Sequence, residues 1–463
     1  MIRLFKVFVP TSVVCLLVSE VILIFTCYVV ATMIVLSVDP QVFLLYANGW
    51  VRVAIVVICI IMGIYFNDLY TLFRIKSRAL LMQQLCVVVG IAFLGQALLG
   101  YLRLQDLLLP VWLMIAGSSL VLVFLPVWRI LYTGVVFKAM GSERVLFLGT
   151  SSVVQEIGQH LAEHPEIGLA VLGYVDNVDS HIQFAGGEAL GQISDLREIV
   201  DSLKPDRIVV GMAERRQRLP VNQLLELRTS GIPIEDALTT YEATFGRIST
   251  RGLRPSQLVF STDLGPKPGR VMVQSVYSSG IAFLATVIAS PIMLLVAILV
   301  RLSSPGPALF RQQRVGKNGV IFNIYKFRSM YCDAEATSGA VWAKMNDPRI
   351  TPVGKWLRRW RLDELPQLFN VLKGDMSIVG PRPERPEFVT ELERQIPYYR
   401  VRHCIKPGIT GWAQINQKYG DTIEDTITKL EYDLYYIKNL ASALDAVIMF
   451  HTAKVMLLSR GSR

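Results

Sequence analysis

Residues 271–300 read VMVQSVYSSGIAFLATVIASPIMLLVAILV and contain no charged side chain. The run exceeds the ~20 residues that an α-helix needs to cross a bilayer. Arg270 precedes the run, and Arg301 begins a series of cations after it. Because basic residues favour the cytoplasmic side, these flanks place both ends on one face. A proline removes a helical hydrogen bond and kinks the helix. Ser290 and Pro291 therefore predict a broken, re-entrant helix, with a fifth true span as the alternative.

Four more apolar segments precede this run, and each approaches spanning length. The chain of 463 residues is 52% hydrophobic and 18% charged, which is too apolar for an ordinary soluble protein. The first run is longer than a signal peptide and further runs follow it, so we interpret it as an anchor. Within it, Glu20 is expected to pair or to face the interior of the helices. The segments lie near residues 13–36, 49–66, 79–102 and 107–136.

Basic residues flank these segments unevenly. The asymmetry predicts that the N-terminus and the chain beyond the fourth segment are cytoplasmic. The net charge of +10 fits this bias, and it also fits phosphorylated or anionic-lipid partners. No nucleic-acid motif is present. The six cysteines form no CxxC pair, which argues against a zinc site or a disulfide framework. One side holds Arg3, Lys6, Arg74, Lys76, Arg78, Lys138 and Arg144, and the other holds Arg52 and Arg103.

Strands alternate with helices between residues 139 and 265. Apolar strands are predicted at 145–149, 171–176 and 207–211, with helices at 153–163 and 193–203. This alternation favours a parallel, doubly wound sheet that resembles a Rossmann-like nucleotide-binding fold. The glycine fingerprint keeps only its first glycine, so a dinucleotide, a regulatory ligand and a purely structural role all stay open.

That domain also lacks the chemistry of sugar-nucleotide dehydratases, some of which join four spans to a similar fold. Those enzymes require a Tyr-x-x-x-Lys pair. Between residues 145 and 266 the only lysine is Lys204, and Val200 stands four positions before it. Dehydratase chemistry is therefore not expected there.

A β-hairpin is predicted directly after the long apolar run. Residues 310–315 and 320–327 flank the turn 316–319, which contains an Asn-Gly pair, the strongest short hairpin signal. The second strand brings Lys326 and Arg328 close together. They are candidate phosphate ligands, although single cations are more often surface charges.

Residues 358–368 read RRWRLDELPQL and place two carboxylates, Asp363 and Glu364, after a cluster of arginines. A second helix, 365–372, is expected to begin at these carboxylates, so that its dipole favours their ionised forms. An ionised carboxylate flanked by cations suits a nucleophile or a metal ligand, whereas an isolated pair of this kind more often only caps a helix.

The helix before the carboxylates has an N-cap at Thr351 and a proline at Pro352. Its basic residues lie largely off one apolar face. The helix fits either the lipid interface, anchored by its tryptophans, or a core-packed position with a solvated face. The apolar face consists of Val353, Trp356, Leu357 and Trp360.

The surrounding motifs are long and ordered. They are KFRSM at 326–330, NVLKGDMSIVGPRPE at 370–384, Arg402-His403, and KPGITGWAQ at 406–414. Together with the carboxylates they resemble the bacterial sugar transferase family, the monotopic polyprenyl-phosphate hexose-1-phosphate transferases. The resemblance covers about the last two fifths of the chain, from residue 277 onward. It implies a catalytic domain anchored by a re-entrant helix with a Ser-Pro break.

The resemblance implies transfer of a sugar-1-phosphate from a UDP-sugar to polyprenyl phosphate, with UMP as the second product. In such proteins the aspartate of the pair forms a covalent phospho-sugar intermediate and the glutamate helps to hold Mg²⁺. These roles fall on Asp363 and Glu364. A rigid Gly-Pro-Arg-Pro turn directs one of the candidate clamps on the diphosphate. The clamps are Lys326, Arg328, Arg358, Arg361 and Arg382.

Two features refine the resemblance. Many members have Ser or Thr two residues before the aspartate, where this chain has Arg361. The segment 381–386, PRPERP, resembles the subgroup found with exosortase (PEP-CTERM) and exopolysaccharide clusters.

The expected fold is a membrane protein with a four-helix transmembrane bundle (1–138), a Rossmann-like α/β domain (139–265), a linker and re-entrant helix (266–302), and an α/β catalytic domain (303–463). Its expected place is the bacterial inner membrane, with the catalytic domain on the cytoplasmic face. The expected partners are a UDP-sugar, polyprenyl phosphate and the bilayer, without nucleic acid; a homo-oligomer is left open. The rival functions are a non-catalytic scaffold or nucleotide sensor for polysaccharide assembly, and a hydrolase that releases sugar phosphate.

Overall fold

The structure is a computed structural model, and its chain divides into two compact units. The first unit comprises the described residues of Met1–Ile2, Val9–Thr150 and Gly158–Ile234, and the second those of Arg3–Phe8, Ser151–Ile157 and Glu235–Arg463. Arg74, Lys76 and Lys138, which enter the charge asymmetry, lie outside the described residues. The structure describes residues 2–36, 39–70, 77–137, 141–177, 187–212, 219–253, 265, 267–332, 347–417 and 422–457.

Long apolar helices form where the sequence predicts the first four membrane segments. They pack around a common core that includes Ile24, Val56, Leu85 and Leu113. Among the described residues, five helical segments, these four and one in the second unit, are long and apolar enough to cross a membrane. A short helix between the first two was not predicted. The helices are α1 (Thr11–Val35), α2 (Pro40–Tyr46), α3 (Gly49–Phe66), α4 (Arg78–Tyr101) and α5 (Val111–Leu131).

Glu20 is paired inside this helical core, as expected for a charge in an apolar helix. Arg129 of α5 donates from Nε to Glu20 Oε1 (2.6 Å) and from Nη2 to Glu20 Oε2 (3.0 Å). Tyr70 adds a third bond, from its hydroxyl to Glu20 Oε2 (2.8 Å). Buried charges are tolerated only when they are paired in this way. The pair therefore fixes the register between α1 and α5.

A five-stranded sheet in the order β5-β4-β3-β6-β7 confirms the predicted doubly wound topology. β3 pairs in parallel with β4 and β6, and β4 pairs in parallel with β5. The two edge strands were not predicted, because both are short. The strands are β3 (Glu143–Leu148), β4 (Leu169–Val175), β5 (Glu188–Gly191), β6 (Arg207–Val210) and β7 (Ile234–Asp236), after the N-terminal pair β1 (Ile2–Leu4) and β2 (Val7–Val9).

Helices α6 to α9 follow the strands of this sheet. The predicted helix at 153–163 is confirmed, and the one at 193–203 begins with a 3₁₀ turn. Gly149, the single glycine of the weak fingerprint, has φ +96° and leaves no space for a side chain against Met212. The helices are α6 (Ser152–Glu163), α7 (Leu196–Leu203), α8 (Val221–Thr229) and α9 (Ala237–Phe245).

The long apolar run forms a single helix, α10 (Pro268–Ser303), that continues through Pro291. Proline lacks the N–H that would bond the carbonyl four residues earlier, which here belongs to Val287. The Ser290 hydroxyl donates to that carbonyl instead, at 2.8 Å. The Ser-Pro pair thus weakens the backbone ladder without ending the helix, so the sequence overstated the break.

The predicted hairpin is confirmed, with β8 (Leu309–Val315) antiparallel to β9 (Ile321–Phe327). A second pair of strands, β10 (Ser377–Val379) and β11 (Gly408–Thr410), runs parallel. The helices of this part are α11 (Pro352–Arg359), α12 (Gln367–Lys373), α13 (Pro386–Gln395), α14 (Trp412–Asn416), α15 (Ile423–Asn439) and α16 (Ser442–Leu457).

Both halves of α10 pack against this part of the chain. Ala282 shares a cluster with Leu368 of α12, and Val300 shares another with Leu357 of α11. Near its start, the buried Gln274 amide donates to the Val379 carbonyl, the Tyr436 hydroxyl and the Asp445 carboxylate. The helix is therefore packed against the rest of the second unit at three levels along its length.

Candidate active site

Asp363 and Glu364 lie in a 3₁₀ turn, Leu362–Glu364, between α11 and α12. Thr351 caps α11 as predicted, accepting the Gly354 N–H at 2.9 Å. The helix ends at Arg359, and Arg361 then takes a left-handed conformation with φ +52°. That reversal, uncommon for a non-glycine residue, turns the carboxylates inward. They precede α12 and do not occupy its first turn, which corrects the sequence-based placement.

Three cations surround Glu364. Lys326 Nζ lies 3.0 Å and Arg382 Nη2 3.2 Å from Glu364 Oε1. Arg361 Nη1 lies 3.9 Å from Oε2. Burial acts to raise the pKa of Glu364, but these cations outweigh it and hold the pKa well below its ordinary value. Glu364 is consequently ionised across the physiological range.

Asp363 is shifted the opposite way. Its burial, and next the charge of Glu364, raise its pKa, although nearby cations act against them. The expectation that a helix dipole favours the ionised form therefore holds for neither group as stated. Adjacent carboxylates whose pKa values are pushed apart are typical of sites where the two play different chemical roles. The opposing cations are Lys326, Arg358 and Arg361.

Arg328 does not join this cluster, which corrects its assignment as a phosphate ligand. The side chain is buried, and Nη2 donates to the carbonyls of Val300 (3.3 Å) and Ser304 (2.7 Å). Nη1 donates to the Pro305 carbonyl at 2.6 Å. Carbonyls at a helix C-terminus lack intrahelical partners, and Arg328 satisfies those at the end of α10. It is a capping residue, and the strand alternation that suggested proximity to Lys326 ends at Phe327.

Arg358 lies on the Asp363 side of the pair, with Nε donating to Ser329 Oγ at 3.0 Å. The apolar face of α11 divides between the two environments that the sequence left open. Leu357 is fully buried, whereas Trp356 and Trp360 are exposed. The helix is thus core-packed on one edge and presents its tryptophans outward.

The carboxylate oxygens of the pair are of the type that Mg²⁺ prefers as ligands. Among the described residues, no group of three or more His, Cys, Asp and Glu side chains is arranged to hold a metal. Mg²⁺ needs only one or two carboxylates when substrate phosphates supply its other ligands. Asp363 and Glu364 fit that requirement. Glu364 would share its charge between the metal and Lys326.

A surface cavity of about 350 Å³ lies beside the hairpin turn, away from the carboxylates. His403 contributes to its lining. Burial, and next the charges of Arg402 and Arg400, lower the pKa of His403 to about 4. The ring is therefore neutral at physiological pH.

Sequence reasoning missed one buried pair that contacts the site. Arg402 donates to Asp433 Oδ2 from Nε (3.0 Å), and Nη2 bonds the carbonyl of Arg382 (3.0 Å). Arg402 stands in a recognisable motif, but Asp433 lies within α15, where nothing in the local pattern separates it from a surface charge. Only the fold brings the two together.

Comparison with known proteins identifies a family for the part of the chain that carries the carboxylates. Residues 270–459 match the bacterial sugar transferase family. The chain is 45% identical over 236 residues to the UDP-N-acetylgalactosamine-undecaprenyl-phosphate N-acetylgalactosaminephosphotransferase of Aeromonas hydrophila, covering 50% of this chain and 54% of that protein. It is 35% identical over 322 residues to the UDP-glucose:undecaprenyl-phosphate glucose-1-phosphate transferase of Xanthomonas campestris pv. campestris, covering 67% and 66%.

A shorter relative is matched over most of its own length. The exopolysaccharide production protein PSS of Rhizobium leguminosarum bv. phaseoli is 43% identical over 182 residues, which are 38% of this chain and 90% of that protein. The chain belongs to the bacterial sugar transferase family. The matched stretch spans just over half of the Aeromonas protein and just under two thirds of the Xanthomonas protein.

Proposed function

We propose that this protein transfers a sugar-1-phosphate from a UDP-sugar to polyprenyl (undecaprenyl) phosphate, giving polyprenyl-diphospho-sugar and UMP. The observation that carries the proposal is the buried pair Asp363-Glu364, one carboxyl with a raised pKa and one with a lowered pKa, beside Lys326 and Arg382. The names of the relatives favour the same reaction. We further propose that this step primes exopolysaccharide synthesis and that the protein belongs to the exosortase-associated subgroup.

Asp363 acts as the nucleophile in this mechanism. A carboxylate oxygen attacks the phosphorus that bears the sugar, the P–O bond to the UMP phosphate breaks, and UMP leaves with that electron pair. An oxygen of polyprenyl phosphate then attacks the same phosphorus and displaces the Asp363 carboxylate. The nearby cations oppose the burial that disfavours ionisation of Asp363, and so keep its attacking form accessible.

The basic residues neutralise charge on the diphosphate as the bond breaks. Lys326, Arg361 and Arg382 already converge on Glu364, and Arg358 lies on the Asp363 side. Bound Mg²⁺ would supply further charge neutralisation, held by Glu364 and the substrate phosphates. Arg328 is not included in this clamp, because its Nη1 and Nη2 groups donate to carbonyls at and just after the end of α10.

Contacts between chain segments before and after α10 support its re-entrant placement. Glu242 precedes the helix, yet Glu242 Oε2 lies 2.6 Å from Lys438 Nζ and Glu242 Oε1 accepts from Asn439 Nδ2 (3.2 Å). Arg270 Nη1, at the start of α10, donates to the Leu440 carbonyl at 3.1 Å. A helix that crossed the bilayer once would put these partners on opposite faces.

The N-terminus supports the same arrangement. The Tyr435 hydroxyl donates to the Lys6 carbonyl (2.6 Å), so residues 3–8 and α15 share one face. An even number of crossings by α1 to α5 meets that condition, with those helices forming a transmembrane bundle. The positive-inside bias then makes that face cytoplasmic. Because UDP-sugars occur on the cytoplasmic side, we propose the bacterial inner membrane as the location of the protein, with its catalytic part facing the cytoplasm.

The test uses purified protein, a panel of UDP-sugars and polyprenyl phosphate, with UMP release and lipid product both scored. Asp363→Asn should abolish turnover while the protein still folds and inserts, because an amide cannot act as the nucleophile. Mass spectrometry of wild-type protein given donor alone should find a phospho-sugar on Asp363. UMP release without any lipid product would indicate a hydrolase. The absence of any UMP release would indicate a non-catalytic scaffold. Normal UMP release by Asp363→Asn would remove the nucleophile assignment.

A further inference from the structure

The main chain that carries Arg382 is held at four consecutive carbonyls. Residues 381–384 lie between β10 and α13, and each carbonyl accepts a hydrogen bond from a different partner. Four bonds to four different partners leave the backbone of this segment little freedom. The bonds are Gly408 N–H to Pro381 (3.0 Å), Arg402 Nη2 to Arg382 (3.0 Å), Arg314 Nη1 to Pro383 (3.1 Å) and Val315 N–H to Glu384 (2.9 Å).

Among these bonds, the one from Arg402 falls on the residue whose side chain reaches Glu364. The Arg402 side chain is 5% exposed and its whole fork is used. Nε donates to Asp433 Oδ2 (3.0 Å) and Nη1 to the Tyr399 hydroxyl (2.7 Å), while Nη2 reaches the Arg382 carbonyl. Asp433 is itself only 1% exposed. The guanidinium is thus fixed on one side by a buried carboxylate and holds the active-site segment with the other.

Two prolines flank Arg382 and make its segment rigid, so the bond from Arg402 affects the segment as a whole. Pro381 and Pro383 fix φ on both sides of Arg382, so the segment moves as a body and not by local rotation. A displacement of its backbone would therefore be passed to the Arg382 guanidinium, which lies 3.2 Å from Glu364 Oε1. A misplacement of about 1 Å in a positioned group can reduce a rate about 100-fold.

We propose that Arg402, fixed by Asp433, is a positioning residue that sets where Arg382 meets the donor diphosphate. The inference rests on the proposed transfer reaction. A buried ion pair is in general weak support for stability, since apolar replacements are often as stable. The bond to the Arg382 carbonyl gives this pair a role that an ordinary core pair lacks.

The chain offers a matched control on the same helix. Glu431 and Asp433 both lie in α15, both are nearly fully buried, and both pair with an arginine. The partner of Glu431 is Arg247, which has no contact with residues 381–384 among the described hydrogen bonds and ion pairs. Asp433→Asn and Glu431→Gln therefore remove equivalent charges, and only the first touches the Arg402 contact.

The decisive experiment is a double-mutant cycle between positions 382 and 402. Arg402→Lys keeps a cation for Asp433 but cannot also reach the Arg382 carbonyl and the Tyr399 hydroxyl. We expect it to lower kcat/KM for the UDP-sugar by about ten- to hundredfold, mainly by raising KM. On an Arg382→Ala background the same change should cost less than about threefold, because coupled residues are not additive. Asp433→Asn should lower kcat/KM by a similar factor to Arg402→Lys. The kcat/KM of Glu431→Gln should stay within about twofold of wild type.

Hydrogen exchange gives a readout that does not depend on activity. Peptides covering residues 377–388 and 405–411 should exchange faster in Arg402→Lys, with the peptides of α15 unchanged. Unchanged exchange in those two regions, or equal losses of activity on both backgrounds, would overturn the positioning role. If wild-type protein releases no UMP, the proposed function fails, and the exchange comparison still decides whether Arg402 holds the segment.

Discussion

At the residue scale, the site depends on two neighbouring carboxylates that experience different surroundings. Glu364 faces three cations, whereas Asp363 is buried beside the charge of Glu364. A change at either position should alter the other, because each charge contributes to its neighbour's pKa. Removing the Glu364 charge should make Asp363 ionise more readily while it removes a metal ligand.

Glu364→Gln tests this pair. The rate should fall by about 10²- to 10³-fold, as for loss of a key electrostatic group, and the dependence on Mg²⁺ should weaken. The measurement is UMP release against MgCl₂ concentration. The exposed Glu387→Gln is the control. A metal profile in Glu364→Gln that matches wild type would exclude Glu364 from the metal site.

His403 makes a separate prediction about pH and stability. Its pKa in the folded protein, about 4, lies below the ordinary 6.5. Below pH 6.5 the unfolded chain therefore binds more protons at this position, so stability is lost as the pH falls from 6.5 toward 4. The melting temperature of wild-type protein should drop between pH 7.5 and 5 by more than that of His403→Gln. An identical decline in both proteins would contradict the shifted pKa.

The sequence was sufficient to bring Asp363, Glu364, Lys326 and Arg382 together, because each belongs to a motif with chemical content. It was insufficient for Arg328, which has the same motif support as Lys326. The position of the Arg328 side chain depends on the carbonyls at the end of α10, which lack hydrogen-bond partners within the helix. The sequence around Arg328 gives no sign of these distant carbonyls.

At the element scale, α10 is held by polar groups at both ends. Gln274 anchors its first turns, and Arg328 satisfies the carbonyls at its last turn. Hydropathy predicted the helix correctly, but the presence of Pro291 led to the prediction of a break that the structure does not show. The missing hydrogen bond at Pro291 is replaced by the Ser290 hydroxyl, and a side-chain substitute of that kind is visible only in three dimensions.

The capping role of Arg328 predicts a different phenotype from that of Lys326. Arg328→Gln leaves buried carbonyls unsatisfied and should lower the free energy of unfolding by about 1–3 kcal/mol. The KM for the UDP-sugar should stay near wild type in the folded fraction. Lys326→Met should do the reverse, raising KM with little change in melting temperature. Denaturant unfolding and steady-state kinetics of both variants check this, and a raised KM in Arg328→Gln at unchanged stability would restore it to the clamp.

At the scale of the whole molecule, topology connects the site to the lipid acceptor that we propose for it. If α10 enters and leaves by one face, the carboxylates lie at the membrane surface, where a polyprenyl phosphate presents its head group. The membrane anchor then holds the nucleophile at the lipid head group, so the acceptor does not have to leave the bilayer. The parallel arrangement of the interior strands was predictable from the alternation of strands and helices, while the edge strands, EALG and IED, lack the apolar run that marks a buried strand.

Thiol labelling from the periplasmic side tests this topology in a background that lacks the six native cysteines. A cysteine at Arg394, which is 74% exposed on its side chain, should stay unlabelled in otherwise wild-type protein. A cysteine at Tyr101, 85% exposed at the end of α4, should label and serves as the positive control.

Pro291→Leu extends the labelling test, because it restores the backbone hydrogen bond that proline cannot make to the Val287 carbonyl. The basic flanks should still resist translocation, so we expect partial labelling at Arg394 and a proportional loss of activity. Labelling at Arg394 without the Pro291 change would mean a fifth true span and would contradict the cytoplasmic active site.

The second unit joins the first strands of the chain to some of its last helices. Tyr435 bonds the Lys6 carbonyl across a separation of 429 residues, and Val7 packs in the same core as Leu434. A ribosome that adds about 5–20 residues per second would need roughly 20–90 seconds to cover that distance. During this interval α1 can already be in the membrane while the two strands before it lack their partner helix. The catalytic unit therefore closes only late in synthesis. A chain that stops before α15 leaves its N-terminal strands without Tyr435 and Arg402 without Asp433.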